Sequence, residues 1–99
     1  MAAKLYGGPI TITVTAQSMT TGLSLSPRLS MSTFALRADK ANVGDVWVGK
    51  SNVTITTNQL GYLRPGEALT IDLNGKYINT DDIFFIGTNA DKVYVLNIQ

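Results

Sequence analysis

The sequence predicts an all-β protein: a single antiparallel β-sandwich or barrel of about seven or eight short strands, with no substantial helix. Three observations support this prediction. Apolar and polar residues alternate in several segments, turn residues separate those segments at a spacing of roughly 8 to 12 residues, and no segment carries a helical apolar stripe. Jelly-roll-like and immunoglobulin-like arrangements both fit this pattern, and the sequence leaves both open.

The chain of 99 residues is long enough for one small domain and contains no linker. We assign residues 10–99 to this β domain. Residues 1–9, "MAAKLYGGP", precede the first alternating segment and contain two glycines and a proline. We therefore predict an N-terminal arm over residues 1–9, whose order depends on what it touches.

The first predicted strand is "ITITVTAQ", where alternation places one set of residues on the apolar face: Ile10, Ile12, Val14 and Ala16. The following segment, "SMTTGLSLSPRLS", is predicted to be a loop because Gly22 and Pro27 interrupt it. A second strand is predicted from Ser30 to Arg37.

Strand-forming residues return in "VWVGKSNVTITT", interrupted by Gly49 as a bulge or tight turn would interrupt a strand. Two short strands or one bent strand fit this segment equally well. The next segment, "NQLGYLRPGEA", is predicted to be a loop. Its Pro65-Gly66 pair suits a type II turn, because proline presets φ and glycine accepts the positive φ that follows.

Three more strands are predicted in the last third of the chain, at "LTIDL", "IFFIG" and "VYVLNI". Asn74-Gly75, after the first of them, is the dipeptide preferred by type I′ turns. The segment "TNAD" supplies the turn between the other two.

The composition indicates which classes of partner to expect. The formal net charge is +1, and the basic residues are scattered along the chain, so we expect no nucleic-acid partner. No stretch approaches the roughly 20 apolar residues of a membrane span, and the N-terminus has no signal-peptide core, so we expect no membrane. The chain has no cysteine, so stability comes from packing and backbone pairing.

The string "GDVWVGKS" at residues 44–51 satisfies the phosphate-loop pattern G-x-x-x-x-G-K-[ST]. The four positions where a phosphate loop needs an open curve are strand-forming, and the β-branched "NVTITTN" that follows argues against the required helix. We interpret Gly49 as a turn or bulge after an aromatic strand and expect no nucleotide site.

Chemistry-bearing residues are few. With no histidine and no cysteine, the usual nucleophile–base pairs cannot be built, so we predict that the protein is not an enzyme. Asp81 and Asp82 are interpreted as turn residues rather than an acid–base pair. Calcium is the one metal that the composition permits. Its candidate ligands, Asn79, Asp81 and Asp82 or Asn89 and Asp91, fit turn positions better, and we predict no metal and no cofactor.

The aromatic residues divide into two groups. Four lie in apolar strands and are expected to pack in the core: Phe34, Trp47, Phe84 and Tyr94. Tyr62 and Arg64 lie in the predicted loop and are candidate partner contacts, because tyrosine and arginine are enriched in interface hot spots. Lys4, Leu5 and Tyr6 of the arm are the other candidate contacts.

Taken in order, "VWVGKSNVT", "GYLRPGEALTIDL" and "IFFIGTNADKVYVLNI" resemble small β-sandwich structural proteins of tailed bacteriophages, of the head-decoration or cement type. The resemblance covers about the last 55 residues, from Asp45 onward. It implies that residues 49–54 and 65–67 are framework positions. It also implies a role in the virion without a catalytic residue.

From the residues and this resemblance we expect a non-enzymatic virion protein, made in the host cytoplasm. In this role it is a capsid decoration or cement subunit that binds the major capsid protein or another virion protein and forms a small homo-oligomer. Two alternatives stay open. One is a tail, baseplate or head-fibre component, and the other is a carbohydrate-binding β-sandwich with Trp47 or Tyr62 exposed as a platform.

Overall fold

A computed structural model describes residues 5–25 and 30–98, with the side chains of all of these except Leu5, Tyr6 and Ile98. The described residues form two four-stranded antiparallel sheets and a short two-stranded ladder. Helical structure in the described part of the chain is limited to single turns. None of the helices in these residues is long and apolar enough to cross a membrane.

The first sheet contains the longest strands. Its order is β1 (Leu5–Thr11), β10 (Lys92–Ile98), β4 (Thr33–Ala38) and β7 (Ala68–Asp72), with every neighbouring pair antiparallel. The first and last described strands of the chain are therefore adjacent in the sheet.

The second sheet has the order β2 (Gln17–Ser18), β9 (Phe84–Ile86), β5 (Val46–Gly49) and β6 (Gln59–Leu63). Counting only the strands of the two sheets, the orders are 1-8-3-6 and 2-7-4-5. This is the connectivity of a jelly roll. The predicted all-β fold of short antiparallel strands is confirmed.

Four small elements complete the fold. β3 (Ser30–Met31) pairs with β8 (Ile78–Asn79), and a 3₁₀ turn follows at Thr80–Asp82. The helix α1 (Met19–Gly22) lies inside the segment predicted to be a loop, and its N-terminus is capped because the Ser18 hydroxyl accepts a hydrogen bond from the Thr21 N–H.

The core lies between the inward faces of the two sheets. Both sheets contribute to one cluster of buried side chains, as their alternation predicts. Its members are Ile10, Ile12, Met19, Met31, Phe34, Leu36, Ala38, Val46, Leu63, Ile83, Phe85, Val93 and Val95. The aromatic residues at its centre are Phe34 and Phe85, so of the four aromatic core predictions only Phe34 is buried.

The first strand begins earlier than the predicted arm allows. β1 starts at Leu5, so residues 5–9 pair with β10, while residues 1–4 lie outside the described part of the chain. Gly7 and Gly8 have φ values of 134° and 140°, and a Cβ at Gly7 would collide with the carbonyl of Val95. Glycine therefore enables this close pairing, although the same glycines led to the prediction of an arm.

The same strand ends earlier than predicted. β1 stops at Thr11, and residues 12–16 cross from the first sheet to the second. Ile12 stays buried, but Val14 is exposed, and its N–H donates to the side chain of Asn89. The alternation in "ITITVTAQ" continues past the point where the chain leaves the sheet, so the prediction was wrong for Val14 and Ala16 as strand positions.

Residues 50–58 form a loop, where strand structure was predicted as far as Thr57. The Thr54 hydroxyl accepts hydrogen bonds from the N–H groups of Thr56 and Thr57, at 3.2 and 2.8 Å. These local bonds compete with strand pairing. Conversely, residues 59–63, predicted to be a loop, form β6.

Asp91 holds two loops together at one end of the molecule. Its carboxylate is buried and accepts hydrogen bonds from the backbone N–H groups of Val43 and Gly44, at 2.9 and 3.0 Å. The loop after β4 is thereby fixed to the loop before β10.

Gly49 provides a test of the loop packing. Val53 is buried against it, and a Cβ at Gly49 would lie 2.9 Å from both the Val53 Cβ and the Asn58 carbonyl oxygen. We expect Gly49→Ala to lower the free energy of unfolding by about 1–3 kcal/mol through overpacking. Urea denaturation measures this loss.

The matched control is Gly61→Ala in the neighbouring strand, because a Cβ there meets no atom within 4 Å. We expect this variant to be as stable as the parent or up to about 1 kcal/mol more stable. Equal stability of the two variants would contradict the proposed packing of Val53 on Gly49.

Candidate functional site

The turn between β6 and β7 is held by four hydrogen bonds. The Glu67 N–H donates to the Arg64 carbonyl, and the Arg64 N–H donates to the Glu67 carboxylate at 2.6 Å. Gly66 and Glu67 each bond to Ala38 of the first sheet through their backbones. Gly66 has φ of +84°, as the predicted type II turn at Pro65-Gly66 requires.

This turn fixes Arg64 next to the ring of Tyr62. The guanidinium carbon of Arg64 lies 5.8 Å from the centroid of the Tyr62 ring, within the range of a cation–π contact. The Tyr62 side chain is 51% exposed. Tyr62 belongs to β6 and not to a loop, which corrects the sequence prediction of its setting.

Trp47 lies directly opposite Tyr62 in the β5–β6 register. Residues opposite each other on paired strands have side chains on the same face. Trp47 is therefore on the outer face of the second sheet and only partly buried, whereas the sequence analysis placed it in the core. The surface made by Trp47, Tyr62 and Arg64 is called the aromatic surface below.

An apolar cleft of about 240 Å³ opens beside the aromatic surface, between the edge strands β6 and β7. Core residues such as Phe34 and Leu36 form its floor. At its rim, Leu60 is 73% exposed and Leu69 is 45% exposed. This cleft was not predicted from the sequence, because it depends on which strands lie at the sheet edges.

The predicted contact residues are not brought together. Tyr62 and Arg64 lie side by side next to β7, but Leu5 and Tyr6 lie in β1, at the opposite edge of the first sheet. Lys4 lies outside the described residues. The structure thus groups two of the five candidates and separates two others from them.

The phosphate-loop string occupies a strand. Val46–Gly49 is β5, with a register shift against β6 between Val48 and Gly49, and Lys50 and Ser51 are exposed in the turn that follows. Residues 50–58 form a loop and not the helix that a phosphate site needs.

Three of the residues considered as calcium ligands bond to other groups of the protein. Asn79 accepts a hydrogen bond from the Ser30 hydroxyl, and Asn89 and Asp91 accept bonds from backbone N–H groups. Across residues 5–25 and 30–98, no three histidine, cysteine or acidic residues are grouped as metal ligands.

Tyr94 forms a polar contact at the surface. Its hydroxyl donates a hydrogen bond to the Asp39 carboxylate at 3.1 Å, so this residue is exposed where a core position was predicted. The Ala41 N–H and then the Tyr94 hydroxyl hold the pKa of Asp39 below its ordinary value. The same bond to Asp39 raises the pKa of Tyr94.

Searches of protein-family models, curated proteins and solved structures find no match to this chain.

The Tyr94–Asp39 bond has a defined pH range. The lowered pKa of Asp39 stabilises the fold above the ordinary aspartate pKa of about 3.9, and this contribution is lost as the pH falls through the folded-state pKa. The raised pKa of Tyr94 stabilises the fold below about pH 10, and this contribution is lost as the pH rises through the folded-state pKa.

Tyr94→Phe removes the hydroxyl. We expect the pKa of Asp39 to rise towards its ordinary value but to stay below it, because the Ala41 N–H still donates to the carboxylate. Carboxyl-carbon NMR titration measures this pKa. The control is Tyr77→Phe in an exposed loop, which should leave the pKa of Asp39 unchanged. If the pKa of Asp39 is the same in the parent and in Tyr94→Phe, the contact does not form.

Proposed function

We propose that the chain is a non-enzymatic structural subunit of a tailed-phage virion, a decoration or cement protein that binds the assembled head. One observation carries the proposal. Tyr62 in β6 and Arg64 in the turn held by four hydrogen bonds form an exposed pair of residue types enriched in binding hot spots. The resemblance of residues 45–99 to phage structural proteins supplies the class of partner.

Binding to the aromatic surface requires little ordering of the chain. The backbone of Tyr62 is held in a strand and that of Arg64 by the turn that follows it, so little backbone freedom is lost when a partner covers them. The exposed Leu60 and the apolar cleft extend the same side of the molecule. A partner protein can therefore bury aromatic, guanidinium and aliphatic groups in one contact.

The mechanism is thermodynamic. A subunit that contacts only the assembled shell stabilises that state by mass action. Copies arranged by the symmetry of the shell, especially if they form small oligomers, add avidity without new contacts. Individually weak sites are sufficient for this role.

The test is co-sedimentation with expanded heads of the phage that encodes the chain. We expect the parent protein to sediment with the heads and Tyr62→Ala to bind at least about tenfold more weakly, as a hot-spot residue does. Tyr77→Ala removes an exposed tyrosine elsewhere and should bind as the parent does.

Two outcomes would overturn the proposal in different ways. Failure of the parent protein to sediment with heads removes the decoration role. Antibody labelling of whole particles that is confined to the tail or to one vertex replaces decoration with the tail, baseplate or head-fibre alternative.

Carbohydrate binding is the second candidate, because Trp47 and Tyr62 face each other on an accessible sheet surface. Trp47 is the only tryptophan, so its fluorescence reports directly on this surface. Titration with a panel of oligosaccharides should change the emission if a sugar stacks there. An unchanged spectrum across the panel excludes this candidate.

A further inference from the structure

The four edge strands of the two sheets are unequally protected against pairing with another chain. β1 contains Pro9, which lacks an N–H, and two glycines in unusual conformations, while β2 is only two residues long. Proline and short length are common protections of sheet edges. β6 and β7 are five residues long and contain neither proline nor lysine.

β7 is the more regular of the two unprotected edges. The β5–β6 pairing is interrupted by a register shift, but β7 pairs with β4 without interruption from Ala68 to Asp72. Its residues other than Ile71 are exposed, and Asp72 at its end is its only charged residue. It is therefore an exposed strand edge without the features that usually prevent edge-to-edge pairing.

The hydrogen bonds around β7 show which of its backbone groups are free to pair. The Ala38 N–H donates to Glu67, and the Leu73 N–H donates to Ser32. Because bonding alternates along an antiparallel pair, Leu69 and Ile71 also bond towards β4. The N–H and C=O groups of Ala68, Thr70 and Asp72 therefore point away from the sheet.

We propose that β7 pairs with β7 of a second copy of this chain, antiparallel about a two-fold axis at Thr70. Thr70 then faces Thr70 of the second copy, and Ala68 faces Asp72. All three outward-pointing residues find partners, giving about six backbone hydrogen bonds across the axis. The first sheets of the two copies become one continuous eight-stranded sheet.

The side chains of β7 are compatible with this register. Ala68 faces Asp72, so no two like charges are opposed. On the inward side, Leu69 faces Ile71 of the second copy. In each copy, Leu69 and Ile71 line the apolar cleft. Pairing would remove the exposed part of Leu69 from water, which favours association.

This inference specifies the homo-oligomer in the proposed function but does not depend on the virion role. A monomeric protein that binds heads would overturn the dimer alone. A protein that forms the dimer but does not bind heads would overturn the virion role alone.

Cysteine cross-linking tests the register, because the chain has no cysteine of its own. Thr70→Cys places two thiols on residues whose Cα atoms are about 5.5 Å apart across the axis, within disulfide range. In Ala68→Cys, the Cα atoms of the two cysteines, one in each copy, are about 14 Å apart, beyond that range. Thr11→Cys, exposed on the opposite edge strand, reports chance collisions.

Under mild oxidation we expect Thr70→Cys to form a covalent dimer at least about tenfold faster than Thr11→Cys, because pairing raises the local thiol concentration. Ala68→Cys alone should behave like Thr11→Cys, but a mixture of Ala68→Cys and Asp72→Cys should cross-link. Equal rates for all variants, or fastest cross-linking at Ala68 or Thr11, overturn the proposal.

Sedimentation equilibrium of the unmodified chain supplies the second measurement. We expect a reversible dimer for the parent and a monomer for Thr70→Pro, which removes an outward N–H without breaking a bond to β4. Circular dichroism checks that Thr70→Pro is folded, and if it is not, the cysteine variants decide. A parent protein that stays monomeric at all concentrations also overturns the proposal.

Discussion

The fold depends on the double pairing of β10. This strand bonds to β1 along its whole length on one side and to β4 on the other, so it joins the beginning, middle and end of the chain. Its inward residues Val93 and Val95 are buried in the same core as Phe85 of the second sheet. Without β10, the first sheet would separate into a lone strand and a two-stranded ribbon, and neither is stable alone.

The position of β10 also decides which sides of the molecule are open. Because β10 and β4 are internal, β1 and β7 become the edges of the first sheet, and the turn at residues 64–67 places β6 beside β7. The β1 edge carries Pro9, whereas the side with β6 and β7 carries the aromatic surface, the apolar cleft and an unguarded strand edge. The features on which both proposals rest therefore lie on one side of the molecule.

Much of the strand content could be predicted from local sequence. The alternation in "LTIDL" and "VYVLNI" predicted β7 and β10, and Asn74-Gly75 has the positive φ values, 52° and 85°, that a type I′ turn requires. These features are local, because a turn dipeptide and a period of two depend only on neighbouring residues.

Of the errors, the first is local, and the others depend on residues that are distant in the chain. The strand pattern of residues 50–58 is overridden by Thr54 hydrogen bonds and by Val53 packing on Gly49. Gly7 is a residue type typical of loops, and its place in β1 follows from the close approach of the Val95 backbone, which is distant in the chain. The neighbours Trp47 and Tyr62 lie far apart in the chain and meet only through the register of β5 and β6, which no local pattern specifies.

The same limit applies to the site. Tyr62 and Arg64 could be chosen from residue type and position, but their pairing depends on the turn locked by Glu67. The apolar cleft could not be predicted at all, since it exists only because two edge strands in different sheets lie side by side.

Residue-resolved amide hydrogen exchange at low and high protein concentration tests most directly the claim that contacts form on the β6–β7 side. We expect the outward amides of Thr70 and Asp72 to exchange quickly in dilute protein and more slowly as the protein concentration rises, because mass action then favours association. Leu69 and Ile71, bonded to β4, should stay slow throughout. Exchange at Thr70 that is independent of concentration, or slowing confined to β1, would show that the contacts do not form on this side.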